Sequence, residues 1–381
     1  MSSADRYADA LRSCHENGTY RTIPNLRNNG KQVVVDGSTL INLNSNDYLG
    51  LLDSPALFHE FIETHGSHLA PSSASSRLLT GNDDSYRLFE SEIAKAYRRE
   101  TALLWDSGYH ANSGILPVIA LPNTLFIADK WVHASIIDGI RLSGIPYQRF
   151  RHNDLSHLQK ILQRYAQDYQ TIWLITESLF SMDGDRAPLM ELIRLKEEYP
   201  QLHLYVDEAH AVGVFGEQGL GIAESLDIVD KIDVIVGTLG KALGSQGAYS
   251  LQSQTLRELF VSQARPLIFS TALPPFNIAW SHFIFNKVRN MGDRRVHLLH
   301  LIELFNREMN TAFPSQIIPI ILPGDRQVNQ GAELFRQHGY YVRPIRKPTV
   351  PAGTERLRIS LTSAMTDEEI IHITELCRRL S

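Results

Sequence analysis

Cysteine is scarce in this chain: 381 residues hold two, Cys14 and Cys377, near opposite ends. Neither has a CxxC partner or metal-ligand spacing, so a disulfide framework and a thiolate metal site are excluded, and a reducing compartment is the simpler setting. An excess of positive charge is also missing. The net charge is −5 and no block of basic residues recurs, so a nucleic-acid surface is not implied. No segment reaches the roughly 18 uninterrupted apolar residues that a membrane span needs. The first seven residues, Met1 to Tyr7, carry no apolar run behind positive charge and so do not read as a signal peptide. Internal repeats and low-complexity stretches are absent. Together these absences predict a cytoplasmic protein with neither membrane nor nucleic acid as partner.

What is present is an ordinary globular composition, 43% apolar and 21% charged. The length exceeds the ~150 residues of one typical domain, so two or three subdomains are expected. Residues 1–50 read as an amphipathic helix, with Tyr7, Ala8 and Leu11 on one stripe, then a hairpin: Lys31 to Val35, a turn at Asp36-Gly37, and Thr39 to Leu43. A large domain is expected over 51–275. Its strand candidates are 102–105, 125–128, 147–150, 172–176, 204–207, 234–237 and 247–251, most of them separated by helical stretches such as 85–97, 155–167 and 189–199. That alternation predicts an α/β fold with a mainly parallel sheet covered on both faces. Residues 276–381 read as a smaller α+β C-terminal domain, with strands at 317–322, 340–343 and 356–361 and a closing helix at 367–380.

Two strand-like runs carry the chemistry. One ends at Asp207 and continues Glu208-Ala209-His210; the other, from Asp233 to Val236, opens into GTLGKALG (237–244). Short β-rich runs with reactive groups at their C-terminal ends suggest a site on that edge of a parallel sheet. An acid and a lysine delivered in this way suit pyridoxal 5'-phosphate (PLP): the amine condenses with the aldehyde and the carboxylate keeps the pyridine nitrogen protonated. Alone, Lys241 reads as a solvated turn residue, and a phosphate loop is not matched because Ala242 follows it. Asp207, after a largely apolar run, requires a cationic partner, either a pyridinium or a structural arginine. His210 alone is uninformative. Ser107-Gly108-Tyr109 opens a helix after a strand, which suits a phosphate and equally suits a plain N-cap at Ser107. Thr238 is placed to offer a hydroxyl to the same phosphate. His133 is either a satisfied core histidine or a ring that stacks on a pyridine. Glu177 and Ser181 leave a strand at the same edge. Arg356 and Arg358 share one face of a strand, where one serves as a carboxylate clamp and the other is readily solvated.

In order and spacing, these segments resemble the α-oxoamine synthases, fold-type I PLP enzymes. The likeness runs from Asn46-Asp47-Tyr48-Leu49-Gly50 through RLLTGN (77–82), DEAHAVGVFGEQGLG (207–221) and GTLGKALG to Arg358. It implies Lys241, His133 and Asp207 as catalytic residues, with Lys241 joined to PLP, Asp207 on the pyridinium and His133 on the ring. His210, Ser181, Thr238, Gly108 and Tyr109 would complete the cofactor site, the last two through backbone. Arg21, Asn46, Glu177, Arg358 and Thr362 would meet substrate; no metal is implied. The stretch 348–358 and Tyr20-Arg21 resemble the branch that condenses L-alanine with pimeloyl-CoA or pimeloyl-acyl carrier protein, with loss of CO₂. Members using glycine with acetyl-CoA or serine with a long acyl-CoA, an aminotransferase, and a catalytically silent PLP-fold partner protein are the alternatives. The family forms homodimers, and Ser270-Thr271 resembles a stretch lent by the neighbouring subunit. Two departures stand out: the loop 72–77 holds less glycine than is usual, and Gly247-Ala248 replaces a common Gly-Gly pair.

Overall fold

The computed structural model describes residues 3–52, 54–66 and 69–380. In chain order its elements begin with α1 (Ser3–Glu16), β1 (Leu26–Asn29), β2 (Gln32–Val35), β3 (Ser38–Asn42), α2 (Pro55–His65) and α3 (Asp84–Ala96). The central stretch alternates: β4 (Thr101–Trp105), α4 (Gly108–Ile119), β5 (Thr124–Asp129), α5 (Ala134–Ser143), β6 (Tyr147–Phe150), α6 (Leu155–Tyr165), β7 (Thr171–Glu177), α7 (Leu189–Glu198), β8 (Leu202–Asp207). It continues through α8 (Ile222–Ser225), β9 (Val234–Thr238), β10 (Ala248–Gln252), α9 (Gln254–Gln263), α10 (Arg265–Phe269), α11 (Pro275–Arg289) and α12 (Gly292–Met309). The last elements are β11 (Ile317–Ile321), α13 (Asp325–Gln337), β12 (Tyr340–Tyr341), β13 (Pro344–Ile345), β14 (Arg356–Ser360) and α14 (Asp367–Arg378). The chain forms two compact units: Asp47–Leu298, and Met1–Asn46 together with Leu299–Ser381.

In the unit Asp47–Leu298, seven strands form one sheet in the order β4-β10-β9-β8-β7-β5-β6. The pairs from β9 through β6 are parallel, while β10 runs antiparallel to both β4 and β9. Six strands therefore point one way, and their C-terminal ends share one edge. Strands β5, β9 and β10 are buried along their whole length, the burial that helices on both faces of a parallel sheet produce. Helix α6 shows how a cover forms: Leu158, Ile161 and Leu162 are its buried residues, the i, i+3, i+4 stripe of an amphipathic helix. Gly237 on β9 is required by close approach. Any Cβ there would lie 2.3 Å from the ring of Tyr249, its register partner on β10.

The other unit holds two small sheets. Their orders are β1-β2-β3-β12, where β12 joins β3 in parallel, and β11-β14-β13. Strand β1 has the sequence LRNN with every residue exposed, so it has no apolar alternation to announce it. Helix α14 starts with a capping box, Thr366 and Glu369 bonding each other's backbone N–H. Among the described residues, no helix is long and apolar enough to cross a membrane.

Candidate active site

Five of the six co-directed strands hand a polar group to the C-terminal edge of the large sheet. Strand β8 delivers Asp207, and β7, its parallel neighbour, delivers Glu177 as the register partner of Asp207. Strand β9 leads through Thr238 to Lys241, β5 leads through Asp129 to His133, and β4 leads to Ser107 and α4. Lys241 and Asp207 both act electrostatically on His133 and on Glu177. Four of the residues expected from sequence are thus one cluster.

Hydrogen bonds fix the orientation of that cluster. Asn112, buried on α4, gives its amide N–H to Asp207 Oδ2 at 2.8 Å and to Ser135 Oγ at 2.9 Å. Tyr205, two residues before Asp207 on β8, donates its hydroxyl to Asn112 Oδ1 at 2.6 Å. The Ala209 N–H caps Asp207 Oδ1 at 2.9 Å. On the other side, His133 is the N-cap of α5: its Nδ1 accepts from the Ser135 N–H at 3.2 Å and lies 2.7 Å from Ser135 Oγ. Because Ser135 Oγ already accepts from Asn112, its own proton points to His133 Nδ1. An Nδ1 that accepts twice leaves the ring proton on Nε2. Burial, with Lys241 adding to it and Asp207 opposing it, lowers the His133 pKa, so the ring is neutral. Asn112, Ser135 and Tyr205 were not singled out from sequence. The only available signal was polar residues at buried positions, Tyr205 lying on the same strand face as Asp207.

The remaining cofactor candidates sit at the same edge. His210 Nδ1 lies 2.7 Å from the buried Tyr48 hydroxyl. Ser181 is in the turn between Phe180 and Asp185, which is closed by the Phe180 N–H to Asp185 O bond at 3.0 Å. Thr238 Oγ1 accepts from the Gly240 N–H at 3.3 Å. Ser107 is indeed an N-cap, accepting from the His110 N–H at 3.1 Å. The N–H groups of Gly108 and Tyr109 still lack intrahelical partners. A Cβ built on Gly108 meets nothing within 4 Å, so the first turn of α4 is open to an anion. The Tyr109 ring is exposed and its hydroxyl donates to Asp138.

These residues fit PLP. There is a carboxylate for a pyridinium, an amine for an aldehyde, a helix start and a threonine for a phosphate, and a buried Glu177 Oε1 with no hydrogen-bond partner among the described residues.

In the other unit, Arg358 is buried, donating to Ser360 Oγ at 2.6 Å and to Asn46 Oδ1 at 3.2 Å. Arg356 is buried as well, its Nε on Thr354 O at 2.9 Å, so neither arginine of the pair is solvated. Thr362 is buried and accepts from the Ala364 N–H at 3.4 Å. Arg21 belongs to a different group: it donates to Thr349 Oγ1 at 3.0 Å beside a cavity of about 290 Å³ that Arg343, Arg346 and Lys347 also line. Thr349 was missed in the sequence, although the segment holding it was not.

Residues 38–380 match the family described as aminotransferase class I and II. A Pasteurella multocida (strain Pm70) protein, provisionally named 8-amino-7-oxononanoate synthase, is 48% identical over 371 residues, 96% of each chain. The crystal structure of 8-amino-7-oxononanoate synthase from Francisella tularensis superposes with a TM-score of 0.75 at 29% identity, covering 89% of this chain and 97% of that one. A serine palmitoyltransferase from S. paucimobilis with a bound PLP–myriocin aldimine gives 0.89 at 25% identity, covering 99% and 96%. Fold and comparisons define the class: a fold-type I, PLP-dependent transferase. Its large unit is the parallel-sheet body of that fold. The chain belongs to the aminotransferase class I and II family and, within it, to the 8-amino-7-oxononanoate synthases, which are PLP-dependent acyltransferases of biotin synthesis.

Proposed function

We propose that this chain condenses L-alanine with a pimeloyl thioester, carried on CoA or on acyl-carrier protein. A bond forms between the alanine Cα and the thioester carbonyl carbon, the C–S bond breaks to release the thiol, and the alanine carboxylate leaves as CO₂. The product is 8-amino-7-oxononanoate. The observation that carries the reading is the delivery of Lys241 and Asp207 from neighbouring parallel strands to one edge, with His133 within electrostatic reach of both.

Bound PLP supplies an aldehyde for amines and a ring that accepts electrons. Lys241 Nζ holds the cofactor at rest and moves the Cα proton of alanine during turnover. Asp207, pinned by Asn112 and Ala209, sets its charge against the pyridine nitrogen. His133 would stack on the bound cofactor, its ring held by Ser135. The Gly108 and Tyr109 N–H groups and the Thr238 hydroxyl hold the phosphate, and His210 and Ser181 complete the cofactor contacts. Arg358 clamps the substrate carboxylate, with Arg21, Asn46, Glu177 and Thr362 completing substrate recognition. The working form is a cytoplasmic homodimer to which Ser270-Thr271 contributes across the subunit boundary.

The test is borohydride reduction and peptide mapping. A pyridoxyl group is expected on the peptide containing Lys241 and none in Lys241→Ala, whose thiol release with alanine and pimeloyl-CoA falls by at least ~10²–10⁴-fold. Ordinary turnover in that variant overturns the assignment. Parallel assays with glycine and serine, against acetyl and long-chain thioesters, test the substrate choice.

A further inference from the structure

Glu177 and Asp207 are register partners on adjacent parallel strands, so their side chains leave the same sheet face about one strand spacing apart, ~4.8 Å. Both are buried, 2% and 6% exposed. A carboxylate this close to Glu177 disfavours the ionised form of Glu177. The hydrogen-bond surroundings of the two acids differ. Asp207 accepts two N–H donors, from Asn112 and Ala209, at 2.8 and 2.9 Å. Glu177 has the backbone N–H of His133 beside it, and among the described residues its buried Oε1 has no hydrogen-bond partner. Burial first, then the charges of Asp207 and the more distant Asp129, push its pKa well above the carboxylate range, with Lys241 opposing. A bare buried carboxylate oxygen is costly at this position; a protonated one is a hydrogen-bond donor awaiting an acceptor.

We propose that Glu177 works as a neutral carboxylic acid whose Oε1–H donates a hydrogen bond to an acceptor oxygen on the bound ligand. This rests on the reading of the edge as a PLP site, and it assigns Glu177 a protonation state and a direction of donation. The acceptor is an oxygen of the cofactor or of the substrate. The neutral His133 adds no charge beside it.

The experiment uses holoenzyme whose pyridoxyl attachment has been mapped, so that absence of cofactor counts against the site and not against this inference. The infrared difference spectrum of parent minus Glu177→Gln at pH 7 is expected to contain the C=O band of a protonated carboxyl group. No such band, or one of an ionised carboxylate, overturns the proposal. Turnover of Glu177→Gln and Glu177→Leu is compared in the same preparations. Glutamine keeps a donor, and turnover falls tenfold or less; leucine removes it, and turnover falls ~10²-fold. Equal losses in the two variants also overturn the proposal, because a donor would then not be the property that matters. If Glu177→Leu shifts the absorption spectrum and affinity of bound PLP, the acceptor is on the cofactor. If it leaves these alone and lowers kcat/KM for the thioester or amino acid, the acceptor is on the substrate.

Discussion

His133 and His152 follow the ends of neighbouring strands, β5 and β6, yet their rings carry opposite charge states. His133 accepts at Nδ1 from both the N–H and the hydroxyl of Ser135, and burial favours its neutral form. His152 donates from both nitrogens: Nδ1 to Asp129 Oδ1 at 2.9 Å and Nε2 to Asp185 Oδ2 at 2.7 Å. Its face lies on Trp131, centroids 3.9 Å apart, and the Phe180 ring meets it edge-on at 4.4 Å. Burial works against this charge too, but the two carboxylates outweigh it and raise the pKa to about 9. The lesson is that direct carboxylate contact, not depth, decides the charge of a buried imidazole here. The cation has a structural consequence for the neutral ring. It ties the loop after β5, which carries His133, to the turn after β7, which carries Ser181.

The strongest way to break this contrast is Asp129→Asn. Asp129 is fully buried and also accepts the N–H groups of Trp131 and Asn153. Removing its charge leaves His152 with one acid and two backbone donors facing an amide. The expected loss is about 3–5 kcal/mol, read as a lower urea midpoint of the holoenzyme. An unchanged midpoint would mean that the imidazolium is not a brace.

Next in size is the pH dependence that the same brace predicts. A histidine whose folded pKa is raised contributes stability that is complete below its unfolded value of ~6.5 and lost as pH rises through the folded value of about 9. The stability difference between the parent and His152→Gln should be largest near pH 6, on the order of 3 kcal/mol, and nearly vanish by pH 10. A difference that stays constant across that window would remove the charge from the explanation.

How much of this was legible in the sequence follows from distance along the chain. Strand β6 appears where Tyr147 to Phe150 was read, and Lys241, Asp207, Glu177 and His133 reach one edge, because strand–helix alternation carries that geometry within each segment. The reversal of β10 was not legible: a fully buried strand shows the same apolar run in either direction. The His152–Asp185 bond spans 33 residues and the Arg21–Thr349 bond 328, and such pairs leave no local pattern. Asn112 was hidden by its own helix, where Ala111, Ile115 and Leu116 around it are also buried.

Asn112→Ala sharpens the contrast from the His133 side. It removes the donor to Asp207 Oδ2 and leaves the Tyr205 hydroxyl without its acceptor, with both groups buried. Turnover is expected to fall ~10–100-fold, the equivalent of about 1.4–2.7 kcal/mol, with weaker retention of PLP on dialysis. Full activity with normal retention would show that Ala209 alone holds the acid.

Ser135→Ala is the mildest variant and tests the tautomer assignment most directly. It removes the hydroxyl donor to His133 Nδ1 but keeps the Ser135 backbone N–H on the same atom. One of two bonds to the neutral ring is lost, at about 0.5–1 kcal/mol. Losing a donor that favours the neutral form raises the pKa of His133. The acid limb of kcat/KM against pH should therefore move upward by about half a unit, with turnover on the plateau reduced only ~2–5-fold. Nitrogen NMR of the ring should still report the proton on Nε2. A proton found on Nδ1 instead would mean that the hydroxyl, rather than the helix start, holds His133 in register with the site.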